Sequence, residues 1–156
     1  MSKPIFKRQQ LPAPIPGELS GKVALVTGGG RGMGRSTVER LAAAGATVIV
    51  SDISEEASQI VAADILRGGG KAVGIPADIS KATDVEGLID ATVSEFGGLH
   101  ILVNAAGILR RTSVFDMDET EWDFVIDVNL KGTFLPSKAS LPAMRASGWG
   151  LSLIHI

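Results

Sequence analysis

Val23-Ala24-Leu25-Val26-Thr27-Gly28-Gly29-Gly30-Arg31-Gly32-Met33-Gly34 is the stretch that decides the fold. An apolar run breaks into glycines, and a helical pattern follows from Arg35. That order of residue types specifies a buried strand, a tight turn and the first turn of a helix. Glycine suits such a turn because the backbone takes dihedrals closed to other residues and can approach a ligand with no Cβ in the way. The free N–H groups and positive dipole end of the helix then suit a pyrophosphate. The spacing, Gly28-x-x-x-Gly32-x-Gly34, is not G-x-G-x-x-G, and a P-loop would need Gly-Lys-Ser/Thr.

Working outward, Val38, Leu41, Ala42 and Ala44 give the helix an apolar face, and Gly45 ends it. Thr47 to Ser51 is a second strand closed by Asp52, 18 residues after Gly34, where a ribose-binding acid is expected. Ser54 is a candidate N-cap with Glu55 and Glu56 behind it, and Ala57, Ile60, Val61 and Ile65 recur at helical spacing. Gly68-Gly69-Gly70 stops that helix. Ala72 to Pro76 is a third strand, followed by Ala77-Asp78-Ile79. Thr83-x-x-Glu86 reads as a capping box for a helix that buries Val85, Leu88, Ile89, Val93 and Phe96. His100 to Asn104 is a fourth strand running into Ala105-Ala106-Gly107.

Strands alternating with helices of this length specify an α/β fold: a Rossmann-type doubly wound parallel sheet, order 3-2-1-4, truncated after about the fourth strand and following helix. After the polar loop Leu109 to Ser113, Asp118 and Glu121 open a long helical region through Trp122, Val125, Ile126, Leu130, Phe134 and Leu141 to about Ser147. Pro136 and Pro142 are expected to kink or interrupt it.

With these hallmarks in order, the chain from about Ser20 to Gly150 resembles the short-chain dehydrogenase/reductase family. The carriers are Thr27-Gly28-x-x-x-Gly32-x-Gly34, Asp52, Asp78-Ile79 and Asn104-Ala105-Ala106-Gly107, with Ala105 where the family usually has a second asparagine. The resemblance implies hydride transfer between NAD(P) and a small carbonyl or secondary alcohol. It implies a cofactor site of Thr27, Gly28, Arg31, Gly32, Met33, Gly34, Asp52, Ile53, Asp78, Ile79, Asn104, Ala105, Ala106 and Gly107. Asp78 would hold the adenine amine, with the Ile79 backbone beside it. Asn129 matches the asparagine of the family's catalytic tetrad, where it pins a water that relays protons to a lysine. The tetrad's tyrosine has no counterpart, because the sequence contains 0 tyrosines.

Cofactor choice turns on two residues. A carboxylate about 4 Å from a 2′-phosphate is repelled by roughly 4 kcal/mol at an effective dielectric near 20. Asp52 therefore favours NAD, whereas Arg31, a basic residue inside the glycine turn, leaves NADP possible.

Composition excludes other classes. With 156 residues there is one domain at most, and a net charge of -2 offers no basic field to nucleic acid or an anionic membrane. The absence of cysteine excludes disulfides and thiolate metal sites and fits a cytoplasmic location; no metal site is expected. No apolar run is long enough to span a membrane. Residues 1–20, with Pro4, Pro12, Pro14 and Pro16, read as a flexible arm, and 21–150 as an incomplete NAD(P)-binding domain. Residues 151–156 match the in-frame translation of a transposon-end sequencing adapter, CTG TCT CTT ATA CAC ATC; the alternative is a genuine fifth strand. The activity expected is that of an oxidoreductase whose Tyr-x-x-x-Lys lies beyond Gly150, so that this stretch is inactive alone. The competing reading is a non-catalytic dinucleotide-binding or sensor protein. Substrates of the sugar-acid and 3-hydroxyacyl thioester kinds remain equally open, and the family's habit implies a homo-oligomeric parent.

Overall fold

The computed structural model describes residues 12–154. The strands are β1 (Val23–Thr27), β2 (Thr47–Asp52), β3 (Lys71–Pro76), β4 (Ile101–Asn104) and β5 (Leu151–Ile154). The helices are α1 (Gly32–Ala43), α2 (Glu55–Arg67), α3 (Ala82–Phe96), α4 (Glu119–Ile126) and α5 (Gly132–Ala146), with a π-helical turn at Asp127–Lys131 between the last two. The sheet is wholly parallel, in the order β3-β2-β1-β4-β5.

The three inner strands β1, β2 and β4 are largely apolar because they are buried on both faces, and their period of two deals the side chains to separate cores. Leu25, Ile49 and Leu102 lie on one face with Val85, Leu88 and Ile89 of α3 and Met144 of α5. Ala24, Val26, Val48, Val50, Ile101 and Val103 lie on the other with Val38 and Ala42 of α1 and Val61 and Ala62 of α2. Burying a side chain of this size contributes roughly 1.5–3 kcal/mol, so these two layers hold the sheet. They also fix the point where the chain reverses its winding, between β1 and β4.

Several local expectations hold. The Ser54 hydroxyl caps α2 by accepting from the Ala57 N–H at 3.2 Å, and the Asp118 carboxylate caps α4 by accepting from the Glu121 N–H at 2.7 Å. Others are corrected. The Thr83–Glu86 capping box does not form: α3 starts at Ala82, with Lys81 at its N-cap and no side-chain cap bond. Asp84 accepts the Asp78 N–H at 3.1 Å instead, so the helix end is tied to the preceding loop. Pro136 and Pro142 lie inside α5 without dividing it. The long helical region departs from α geometry earlier, at the wide π-helical turn of residues 127–131.

The sheet carries one strand beyond the expected four. β5 pairs with the free edge of β4, Ile101 opposite Leu151 through Asn104 opposite Ile154. An apolar run following α5 finds an unpaired edge there and fills it. Leu151, Leu153 and Ile154 stay 43–51% exposed, because nothing among the described residues covers them. This pairing does not bear on the expected adapter origin of residues 151–156, which is a question about the DNA; His155 and Ile156 lie outside the described residues. Of the N-terminal arm, residues 1–11 also lie outside them. The remainder is tied to α1, with the Leu19 N–H on the Ala44 carbonyl at 2.9 Å and the Pro12 carbonyl accepting from Arg40 at 2.6 Å.

At the end of the sheet away from the glycine turn, His100 Nδ1 accepts the Val23 N–H at 3.1 Å. Burial, and then the nearby Lys22 charge, lower the imidazole pKa below its usual 6.5. The Lys22 ammonium sits over the Trp149 ring at 4.5 Å.

Candidate functional site

The carboxyl ends of β1, β2, β3 and β4 open onto one cleft of about 290 Å³, at the reversal between β1 and β4 where open parallel sheets place their ligands. Its lining includes Gly28, Arg31, Met33 and Gly34 from the first turn, Asp52 and Ile53 from the second strand's end, Asp78 and Ile79 from the third, and Ala105, Ala106 and Gly107 from the fourth. Sites expected from four separate stretches of sequence thus meet in one place.

The glycines are there for distinct reasons. Gly28 has φ +65°, and a Cβ on it would stand 2.6 Å from Ala106 Cα, so the turn lies directly against the loop after β4. Gly34 seats α1 on the turn: a Cβ would run into the Gly28 carbonyl oxygen. With φ +54° at Gly32 the helix enters through a left-handed residue. Two of the turn's N–H groups are already used, Gly29 on the Ser51 carbonyl at 2.8 Å and Gly30 on Asp52 Oδ2 at 3.0 Å. The donors left facing outward are the first N–H groups of α1, which have no intrahelical partner.

Asp52 is 5% exposed, and its other carboxylate oxygen accepts the Ser54 N–H at 3.1 Å. Asp78 is more open. Its Oδ1 accepts the Ser80 hydroxyl at 2.6 Å and the Ser80 N–H at 3.1 Å, and Oδ2 pairs with Lys81 at 3.2 Å. The Ser80 hydroxyl bond chiefly, with the Ser80 backbone and Lys81 adding to it against burial, holds this carboxyl below the usual 3.8. It stays charged, with a lone pair on Oδ2 left to accept from a ligand.

Thr27, Gly32, Asn104 and Asn129 are not in the lining. Thr27 is buried beneath it, its hydroxyl between the Val103 carbonyl at 3.5 Å and the Ala106 N–H at 3.4 Å, a brace from β1 to the loop after β4. Asn104, 5% exposed, donates Nδ2 to Ser137 Oγ at 3.3 Å and to the Leu153 carbonyl at 3.2 Å, so its amide ties β4 to α5 and β5. Asn129 sits in the π-helical turn and uses both ends of its amide on Ile108, accepting the N–H at 2.8 Å and donating to the carbonyl at 2.9 Å. In this geometry it positions the loop beside the cleft.

The lining also contains Ser51, Ala77, Ile108, Phe124 and Val128. Ser51 and Ala77 adjoin motif residues and were within reach of the sequence. Phe124 and Val128 come from α4 and the π-helical turn, and only tertiary packing brings them to the sheet's end. Arg110 is held over the Phe124 ring at 5.3 Å and beside Glu121 at 3.8 Å.

Comparison with known proteins gives a consistent result. The family described as short chain dehydrogenase matches residues 22–154. Among individual relatives, the chain is 43% identical over 140 residues to a 3-alpha-(or 20-beta)-hydroxysteroid dehydrogenase of Mycobacterium tuberculosis, covering 90% of this chain and 52% of the relative. It is 46% identical over 128 residues to the short-chain reductase protein NovJ of Streptomyces niveus, covering 82% and 49%. It is 41% identical over 134 residues to a cyclohexanol dehydrogenase of Acinetobacter, covering 85% and 53%. The chain spans about half the length of the curated relatives it matches.

Proposed function

The chain belongs to the short-chain dehydrogenase/reductase family, and from that premise we propose that it forms the cofactor-holding part of an oxidoreductase acting between NAD(P) and a carbonyl or secondary alcohol. The observation that carries the reading is the convergence of the glycine turn, Asp52, Asp78 and the Ala105–Gly107 loop on one cleft at the sheet's reversal point. The residues present fit a dinucleotide. The cleft has a helix N-terminus for phosphates, a charged acceptor at Asp78 for an adenine amine, and the Ser51 hydroxyl, fully buried in the lining with no partner among the described residues.

In this reading the first turn of α1 receives the pyrophosphate, Asp52 the adenosine ribose and Asp78 the adenine, with Ile53 and Ile79 as the apolar walls. The nicotinamide group, when bound, supplies or takes up the hydride. Thr27 and Asn129 shape the site from behind by fixing the loop after β4; a proton-relay part for Asn129 belongs to the same proposal. NAD is favoured over NADP because Asp52 faces the cleft as a carboxylate. Arg31 is exposed, pairs with no acid among the described residues, and is free to turn away.

The relatives' names point to small carbonyl or alcohol substrates, cyclic ones in the hydroxysteroid and cyclohexanol dehydrogenases. A homo-oligomeric parent accounts for the exposed Trp122, Phe124, Leu130, Phe134 and Leu141 on and around α4 and α5. A cytoplasmic location is consistent with the lack of cysteine. We expect no turnover from the 156 residues alone, which include no tyrosine to pass a proton to the substrate oxygen.

Isothermal titration of the chain with NAD, NADP and S-adenosylmethionine tests the site. Saturable binding, tighter for NAD than NADP and absent for S-adenosylmethionine, is expected. Binding of S-adenosylmethionine alone would overturn the reading.

A further inference from the structure

Asp52 makes more contacts than a ribose acceptor needs. Oδ2 accepts the Gly30 N–H at 3.0 Å, Oδ1 accepts the Ser54 N–H at 3.1 Å, and its backbone carbonyl accepts the Ala77 N–H at 3.1 Å. One residue therefore joins the glycine turn, the N-cap of α2 and the loop that bears Asp78. The fit at Gly30 is tight. A Cβ there would stand 2.8 Å from Asp52 Oδ2 and 2.7 Å from the Ala57 methyl, both closer than such atoms normally approach. Beside this bond the Gly29 N–H reaches the Ser51 carbonyl at 2.8 Å, so consecutive amides of the turn are tied to the end of β2.

We propose that Asp52 is a positioning residue for the glycine turn, so that ribose selection and the shape of the phosphate cradle are coupled through one carboxylate. A carboxylate oxygen has two acceptor directions, so one on each oxygen remains for ribose hydroxyls while both backbone bonds persist. Arg31 follows Gly30 directly, so the same carboxylate sets the direction from which the basic residue leaves the turn. Removing Asp52 to admit NADP then loosens the cradle that NAD and NADP share. Removing only its charge is a different perturbation from removing its oxygens.

The proposal rests on the reading of the cleft as a dinucleotide site, and the test separates the two. Amide hydrogen exchange of Gly30 and Ser54 needs no cofactor. In Asp52→Ala, exchange at Gly30 is expected to accelerate on the order of ten- to hundredfold, the worth of a hydrogen bond to a charged acceptor. Asp52→Asn keeps one acceptor oxygen, so either Gly30 or Ser54 should accelerate and the other should not. If Asp52→Ala does not fold, Asp52→Asn decides alone, and acceleration at neither amide overturns the proposal. The second readout compares adenosine, which has the ribose but no phosphate, with NAD. A mere ribose acceptor would cost both ligands the same factor; coupling predicts a further loss, roughly tenfold, for NAD only. Equal losses overturn the coupling. Wild-type chain that binds neither ligand overturns the dinucleotide reading and leaves the exchange result to judge the Asp52–Gly30 bond.

Discussion

Gly34→Ala measures how closely α1 is seated on the glycine turn. A Cβ at this position would stand 2.8 Å from the Gly28 carbonyl carbon and 3.2 Å from Gly29 Cα, with the Gly28 oxygen nearer still. Unstrained carbon pairs sit at about 3.5–4.0 Å, so helix and turn must part by about 1 Å. Overpacking costs about 1–3 kcal/mol, and backbone on both sides of the contact puts this case in the upper half, about 2–3 kcal/mol. In a chain of this size 1 kcal/mol moves the melting temperature by roughly 2–4 °C, so a fall of roughly 4–12 °C is expected. Two controls bracket it. Gly87 lies within α3 with nothing near its Cβ position and no positive φ, so Gly87→Ala should stabilise by about 0.5–1 kcal/mol. Gly32 has open space but φ +54°, so Gly32→Ala should cost about 1–2 kcal/mol for the left-handed backbone alone. Urea unfolding followed by the fluorescence of Trp122 and Trp149 and by circular dichroism reads all three. Gly34→Ala within about 0.5 kcal/mol of wild type, the range of neutral surface changes, would refute the argument.

If Asp78 is the adenine acceptor proposed above, Asp78→Ala should weaken AMP and NAD alike by about 1.5–3 kcal/mol, because both share the adenine; calorimetry reads this. Because Ser80 and Lys81 hold the Asp78 carboxyl below 3.8, its contribution to stability is present above that pH and is lost only as the pH falls through the lower folded-state value. The His100 pKa also lies lower in the folded state than in the unfolded chain, so its contribution is whole above about pH 6.5 and declines as the pH falls through the folded value. Urea midpoints should therefore slope downward below pH 6.5 in the wild type and flatten there in His100→Gln. Asn129→Ala removes both bonds to Ile108, about 1–3 kcal/mol of loop fixation, and trypsin should then cut faster at Arg110 and Arg111.

The sequence made most of the sheet and most of the cleft lining legible because both are written locally. A β-branched run ending in glycine or an acid reports a strand and its carboxyl end together, which is why Gly28 and Asp52 could be named from the pattern, while Asp78 and Ala106 came from the family resemblance. Phe124 and Val128 could not be, since their approach depends on how α4 lies across the sheet's end. Thr83 and Glu86 obeyed a capping pattern, yet the Asp78–Asp84 bond set the helix start, a tertiary contact outranking a local preference. His100 carried no signal of its task either. Its bond to Val23 exists only because β1 and β4, 77 residues apart at that contact, are neighbours.

The wide turn at Asp127–Lys131 acts as a phase adjuster for the remainder of the helix. An α-helix advances about 100° per residue, so the extra residue in a π turn rotates everything beyond it by about that angle. Gly132, Pro136, Ser140 and Met144, spaced four apart, are the buried stripe of α5. Gly132 is the point where Ile79 comes closest, and Ser137 accepts from Asn104 at 3.3 Å. Deleting one residue from the turn would let α4 and α5 fuse into a regular helix and swing that stripe a quarter-turn or more off the sheet. Ile79 would then meet a side chain where it now meets a glycine, and Asn104 would lose its hydroxyl partner. The alignment of α5 with the sheet is thus stored in backbone winding, twenty residues downstream of the cleft loop it helps to fix.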